Sequence, residues 1–461
     1  MKVKLALWLL ASTAFLSREA VAQDQKQTAP PPAAKPPDAE KVASVELYGN
    51  LMPFTEYVTS TGPTPEGFSE APDHIGISVA SYNGIHPAPR VRMTSGTSHF
   101  GVRGSLKLVD RMLSVVGQFE TSMPIDGDPN PWDLEIPNRN SYLGLTGPWG
   151  TLAFGRFDTP YKWITLTTVN PMRAGYVADY TAIIGTPGFL STALPTVPRW
   201  VAGNGVSNTG FYRREANSIQ YWSPTLYGFY ARFNYSTNEL RPSDDPASGA
   251  VRSNPYIVSI GGGFDFEGLR LRYAWENHHD YFGLGYINQL LTGAPNAQTR
   301  TSNDYGNKGV AQYTLIINPD IKTRVAGIFE HLKYTAETTF VGNINSYERP
   351  AFYVLLQQTL FGHNVWGAYG KAYPGKCERL PGGPIETCST ANIGAQWLMG
   401  GYMYEFTKTA QAFAMVYNLV NDRSALYVTS PALAREGISP GLDQFGAGIG
   451  FNWAFSAELL H

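Results

Sequence analysis

The chain has 461 residues, of which 43% are apolar and 16% charged, with 35 Lys plus Arg against 37 Asp plus Glu. These proportions exclude a disordered polyelectrolyte and a basic nucleic-acid binder, and a count of two cysteines excludes a disulfide-built scaffold. The length accommodates either about two to four soluble domains or one large barrel.

Lys2 and Lys4 precede an apolar run from Leu5 to Leu10, and Ala20-Val21-Ala22 has the small-x-small form of a cleavage site. Residues 1–22 therefore read as a secretory signal peptide, which sends the mature chain to a compartment where disulfides persist. Residues 23–44 form a Pro/Ala-rich tail, including Ala29 to Pro32 and Lys35-Pro36-Pro37, with no period that would bury a face. From residue 45 to residue 461 there is neither a second linker of that kind nor a break in composition, so one domain is expected.

No apolar run after the signal has the length of a membrane helix. Alternation takes its place. Leu269, Leu271, Tyr273 and Trp275 alternate with Arg270, Arg272, Ala274 and Glu276, while Tyr227, Phe229, Ala231, Phe233 and Tyr235 alternate with Gly228, Tyr230, Arg232 and Asn234. The same period of two returns from Phe413 to Leu419 and from Phe445 to Phe455. About sixteen such segments run from 45–57 to 443–455, joined in turn by short connections, such as Phe266-Glu267-Gly268 and Phe361-Gly362, and by long polar ones.

A secreted soluble β-sandwich also alternates, but it places Val, Ile and Leu on the buried face and Lys and Glu on the other. Here the polar face carries Gly, Arg, Gln and Asn, and Tyr, Phe and Trp gather near strand ends. The expected fold is all-β, a transmembrane antiparallel β-barrel of about 16 strands in the outer membrane of a Gram-negative bacterium. A closed sheet pairs every backbone group without an edge, as hydrocarbon demands. A barrel of that size leaves a lumen that side chains do not fill, hence a water channel.

The connection between the strand ending near Phe157 and the one beginning near Arg214 is the longest in the chain, and it is predicted to fold inward as the third external loop. Asp158 and Asp179 would then supply carboxylates opposite a basic wall of Arg92, Arg103, Arg139, Arg156, Arg213 and Arg214, creating a transverse field that sorts ions. Two of these placements strain against strand parity. Arg213 and Arg214 cannot both face inward from a regular strand, and Arg156 shares its parity with Leu152 and Phe154 unless a bulge at Gly155 intervenes. Arg232, Arg270, Arg272 and Arg324 are expected to line a broader stretch of lumen wall or polar surface buried between subunits.

Cys377 and Cys388 lie in one polar connection of an exported chain, where a loop-stapling disulfide is expected, with free thiols as the alternative. His278-His279-Asp280 reads as polar loop sequence rather than a metal site. Gly261-Gly262-Gly263 stands in strand context without the strand-turn-helix setting of a nucleotide loop, and scattered Ser, His and Asp establish no triad. No catalysis and no cofactor are expected.

Several fragments in order carry a resemblance. They are Val45-Glu46-Leu47-Tyr48-Gly49, Ser98 to Gly104, Val116 to Glu120, Asn140 to Leu145, Gly150 to Arg156 and Asn217 to Pro224. Together with the long loop, they resemble the general diffusion porins of proteobacterial outer membranes, particularly the sixteen-stranded trimeric kind. The resemblance implies passive diffusion of ions and small polar solutes, a homotrimer, contact with outer-membrane lipid and lipopolysaccharide, and a constriction made by acids of the third loop facing arginines. Arg103 and Arg156 match family motif positions, whereas Arg92, Arg139 and Asp179 are assigned by approximate placement. The long loop lacks the family's short acidic motif at an obvious position. Such chains usually end on an aromatic residue, but here residues 456–461 follow Phe455. Either the assembly signal tolerates this extension or the final strand runs further. A substrate-selective porin, with Tyr161, Trp163, Tyr176 and Tyr180 as an aromatic track, is the near alternative. A structural or adhesive outer-membrane barrel and an outer-membrane hydrolase are the distant ones.

Overall fold

The computed structural model describes residues 42–75, 84–110, 112–126, 136–166, 169, 171, 180–188, 210–237, 254–281, 283–284, 299–338, 341–429 and 439–460. The expected signal peptide, nearly all of the tail and Asp179 lie outside these residues. In chain order the strands are β1 (Ala43–Leu51), β2 (Phe54–Thr61), β3 (Arg90–Thr94), β4 (His99–Val109), β5 (Leu113–Ser122), β6 (Ser141–Gly147) and β7 (Gly150–Asp158). Helix α1 (Pro160–Leu166) precedes β8 (Arg214–Trp222), β9 (Phe229–Thr237), β10 (Tyr256–Phe266), β11 (Leu269–His279), β12 (Thr299–Asn318) and β13 (Ile321–Thr338). The chain closes with β14 (Ile344–Leu360), β15 (His363–Ala372), β16 (Lys376–Arg379), β17 (Ala395–Glu405), β18 (Ala410–Asn421) and β19 (Asp443–Leu460).

Strands β1 and β2 both pair with β19 and so form one span, interrupted at Met52-Pro53, where proline removes a ladder donor. Likewise β3 and β4 form one span, because β3 pairs with β2 and β4 with β1. Short β16 continues the β15 span, because it pairs with the upper part of β14 where β15 leaves off. What remains is a closed antiparallel barrel of 16 strands, sealed where β19 joins β18 on one side and the β1–β2 span on the other.

The alternation in the sequence is the alternation of faces. On β11, Leu271 and Tyr273 are exposed on the outside while Arg270, Arg272, Ala274 and Glu276 are buried inside. Phe154, Ile219, Val354, Leu398 and Ile449 continue the outer greasy belt. Trp149, Tyr227, Phe266, Phe361 and Phe406 crowd the rim that carries the short turns, where amphipathic and bulky rings suit the lipid–water boundary. Three of these turns, Tyr227-Gly228, Glu267-Gly268 and Phe361-Gly362, hold both central residues at positive φ, the form whose twist matches a two-residue hairpin. The turn expected at Ser223-Pro224-Thr225 therefore extends to Gly228, and β9 starts at Phe229.

Three boundaries differ from the sequence reading. Strand β1 begins at Ala43, inside the segment assigned to the tail. β12 and β13 reach back to Thr299 and on to Thr338, well beyond the segments 308–317 and 322–332, because on the added part of β13 the outward positions Lys333, Thr335 and Glu337 are polar while Tyr334 and Ala336 are buried inside, so the apolar-outside pattern is lost. β19 continues to Leu460, with Val45 opposite Leu460 and Glu46 opposite Glu458, so the last strand absorbs the residues after Phe455. Cys377 and Cys388 form a disulfide in the connection after β15.

Candidate functional site

The connection from β7 to β8 turns into the barrel. Thr159 accepts the Trp163 N–H at 2.8 Å through its carbonyl, and Pro160 occupies the first helical position, where its missing donor costs nothing. Helix α1 then packs against β10 and β11, and Gly261 on β10 permits the approach: a Cβ there would lie 3.0 Å from the Cβ of Pro160. Beyond the helix, buried groups bolt the loop to the wall. Tyr161 Oη donates to Glu330 Oε1 at 2.8 Å, the Gly185 N–H donates to Glu330 Oε2 at 2.8 Å, and Arg349 reaches the same carboxylate at 3.4 Å. Arg349 Nε also donates to the Thr186 carbonyl at 2.7 Å, and Tyr347 Oη to that of Pro187 at 2.8 Å. Tyr161, Glu330 and Arg349 are each fully buried.

Across the lumen, the wall from β1 to β6 carries the arginines, and each has a carboxylate beside it. Arg92 meets Glu56 at 2.5 Å, Arg103 meets Glu46 at 2.7 Å, and Arg139 meets Glu120 at 2.5 Å. Tyr48 links two of these pairs, donating to Glu120 at 2.8 Å while the Arg103 guanidinium lies 4.8 Å from its ring centre. At the root of the loop, Asp158 receives Arg214 at 3.0 Å, Lys162 at 2.8 Å and the Asn140 amide at 3.0 Å. Arg103, Arg139, Asp158 and Arg214 thus fall into one connected cluster, whereas Arg92 stands apart with Glu56 and Tyr417.

Two residues depart from the reading of the sequence. Arg156 keeps the outward parity of Leu152 and Phe154: its Nη1 donates to the Pro137 carbonyl at 2.9 Å, and it lines an outer cavity of about 910 Å³ with Ile136, Phe154 and Ile219. The extra residue in the ladder is on the partner strand, where Asn217 has positive φ and Gly155 and Phe157 stand opposite Ser218 and Glu215. That slip inverts the parity of β8 rather than β7, so it cannot bring Arg156 inside. Arg213 precedes β8 and is not bound by its parity; it is fully buried against Glu215 at 2.5 Å and over the ring of Tyr281. His278 stacks on Phe211 of the inward loop, while His279 stacks on Tyr256 on the opposite face of β11, so the two rings do not converge.

The partners missed from sequence are the wall carboxylates. Glu46 and Tyr48 share one face of β1, and Glu46 stands directly opposite Arg103; their parity in Val45 to Asn50 was the available signal. Lys162 was missed because a lone lysine in a long loop has no period. Burial holds its ammonium down at about 8, with Asp158 acting in the other direction and Arg214 and Arg139 adding to the depression. The proton leaves as pH rises through that value, so the cluster loses one positive charge. Between pH 7 and pH 9 the reversal potential in a salt gradient is expected to move toward the cation potential, and Lys162→Met should abolish that movement. A pH response unchanged in the variant would assign the titration elsewhere.

A closed sixteen-strand barrel with a greasy outer belt, a charged interior and a loop folded into its bore defines an outer-membrane channel. Residues 7–424 match the Gram-negative porin family, and the chain belongs to it. Among solved structures, it is similar to the anion-selective porin from Comamonas acidovorans, with 16% identity and a TM-score of 0.59 over 90% of this chain and 100% of that one. It is also similar to outer-membrane expressed OmpT of Vibrio cholerae, with 13% identity and a TM-score of 0.51 over 90% of this chain and 99% of that one. No curated protein matches the chain. At such identities the structural likeness speaks for the fold, and membership of the family carries the activity: passive diffusion through an outer-membrane channel.

Proposed function

We propose that the channel works as a homotrimer without catalytic turnover, passing ions and small hydrophilic solutes through a narrow zone between the inward loop and the row Arg92, Arg103, Arg139 and Arg214. The observation that carries this reading is the anchoring of the loop on β13 and β14, on the side of the bore away from that row. Within the row the Arg103–Glu46 pair is the most open to water, its side chains 32% and 27% exposed. Because each arginine faces a carboxylate on the same wall, the local field is that of paired charges, and selectivity among ions is weak. Asp179 is retained as a proposed loop carboxylate; Arg156, on the outer face, is not placed in this zone.

Unequal wall height supports the trimer. The spans from β5 to β9 have 7 to 10 residues, whereas β12 to β14 have 17 to 20. A low wall suits packing against copies of the same chain, and a tall one suits exposure at the periphery. Reconstitution into planar bilayers should give conductance steps in groups of three, and boiling should convert a slow-migrating band to the monomer. Single steps with no oligomer band would refute the trimer. A plugged barrel with no current would support the structural alternative instead.

Arg103→Ala removes one cation and leaves Glu46 uncompensated. The permeability ratio of potassium to chloride should rise roughly twofold to fivefold, the effect of about 0.5–1 kcal/mol on ion entry. An unchanged reversal potential would remove Arg103 from the narrow zone.

A further inference from the structure

We propose that the lumen wall of β9, β10 and β11, beneath α1, binds small organic carboxylates through Arg232 and Arg272. This rests on the diffusion-channel reading and adds a recognised class of solute to it. Charge balance is the first observation. Arg92, Arg103, Arg139, Arg214 and Arg349 each have a carboxylate within ion-pair distance. On β9 to β11, by contrast, Arg270 and Arg272 share Asp265, at 3.7 and 3.4 Å. Arg232 forms no hydrogen bond or ion pair with any described residue; its contacts are with rings.

The second observation is how those rings are arranged. The Arg232 guanidinium lies 3.7 Å from the centre of the Trp163 ring and 5.2 Å from that of Trp222. Arg272 lies 5.4 Å from the same Trp163 ring and 5.6 Å from Tyr230, so one indole serves two cations. Stacking removes water from a guanidinium face but leaves its in-plane N–H donors for an acceptor in the bore. Trp163 is more than nine-tenths buried, and its Nε1 donor has no acceptor among the described residues. Glycines across the sheet let these groups pack closely, Gly261 beneath Pro160 of α1 and Gly263 beneath the Arg272 stem and the Tyr230 hydroxyl. Gly261 stands opposite Arg232 and Gly263 opposite Arg272, and a Cβ at Gly263 would lie 2.8 Å from the Arg272 Cγ and 2.7 Å from Tyr230 Oη.

These features select the ligand. A planar carboxylate matches the in-plane fork of a stacked guanidinium and can take the indole proton as well. Asp265 beside Arg272 disfavours a dianion, and the surrounding rings favour a solute with an apolar body. A cation held between two rings with no ion-pair partner among the described residues is therefore matched by a mobile monoanion drawn from the passage.

Benzoate is the probe. In single-channel recordings it should reduce the open current saturably, and Arg232→Gln should raise the half-blocking concentration by at least about tenfold. Trp163→Leu should raise it as well, whereas Lys333→Gln, on the external hairpin, should leave it unchanged. Inorganic phosphate should give no saturable block. Heat-dependent band migration confirms that each variant is folded, and calorimetric titration of the detergent-solubilised protein reads benzoate binding without any need for current. A block that does not saturate, an unaltered half-block in Arg232→Gln, or an equal block by phosphate overturns the site. A wild-type protein that binds benzoate but carries no current overturns the channel reading and leaves the site standing.

Discussion

Glu330→Ala is expected to free the inward loop while leaving the barrel closed. Glu330 is fully buried and accepts from Tyr161 Oη and the Gly185 N–H while facing Arg349. Its removal strands a buried guanidinium and two donors, a loss of about 3–5 kcal/mol for a broken buried pair. The loss falls on the loop, because the β13 ladder to β12 and β14 is made by backbone groups that the substitution does not touch. Single-channel conductance should rise and become noisy, and liposome swelling should admit larger sugars than the wild type does. Glu330→Gln, which keeps the shape and one acceptor, should fall between the two. Unaltered conductance and size limit in Glu330→Ala would show that other contacts hold the loop.

Asp158→Ala attacks the loop at its root. Asp158 is the carboxylate shared by Arg214 and Lys162, and it takes the Asn140 amide too. Without it, Lys162 loses the partner that supports its charge and burial alone remains, so its ammonium titrates below the present value of about 8. The substitution thus removes one negative charge and, at neutral pH, part of one positive charge. The reversal potential should move toward the anion potential by less than Arg103→Ala moves it the other way, and the alkaline response of the wild type should disappear. Loss of the buried partner also costs about 3–5 kcal/mol at the entry to α1, visible as faster proteolysis of the loop. A full-sized anion shift with the alkaline response intact would mean that Lys162 keeps its proton unaided.

The barrel itself was legible because lipid and water impose opposite demands on successive residues. Leu271 and Tyr273 outside, Arg270 and Arg272 inside, is a pattern that one strand's sequence states completely. Where lipid no longer constrains the outer face the pattern fades, and the ends of β12 and β13 near Thr299 and Thr338 have the sequence of loops. The inward loop was legible by length, since a connection that long has to go somewhere. The identity of the charge partners was not. An arginine's position along a strand says which face it takes, yet its neighbour across the sheet depends on register, and register was unavailable until Glu46 stood opposite Arg103. Arg156 is a related case: the extra residue of the ladder lies on β8 rather than at Gly155, so it turns Glu215 inward and leaves Arg156 on the outer face.

In the proposed channel, size exclusion and most of the ion preference fall to different parts of the molecule. The latch on β13 and β14 fixes how far the loop intrudes, while the charge of the passage is set by residue pairs inside the staves of the cylinder. Under the proposed reading, substitutions at the latch can therefore widen or tighten the sieve without retuning which ions it favours, and a change in the staves or at Lys162 beside the loop root can do the reverse. A lineage meeting a new toxin or a new nutrient could adjust one property at a time.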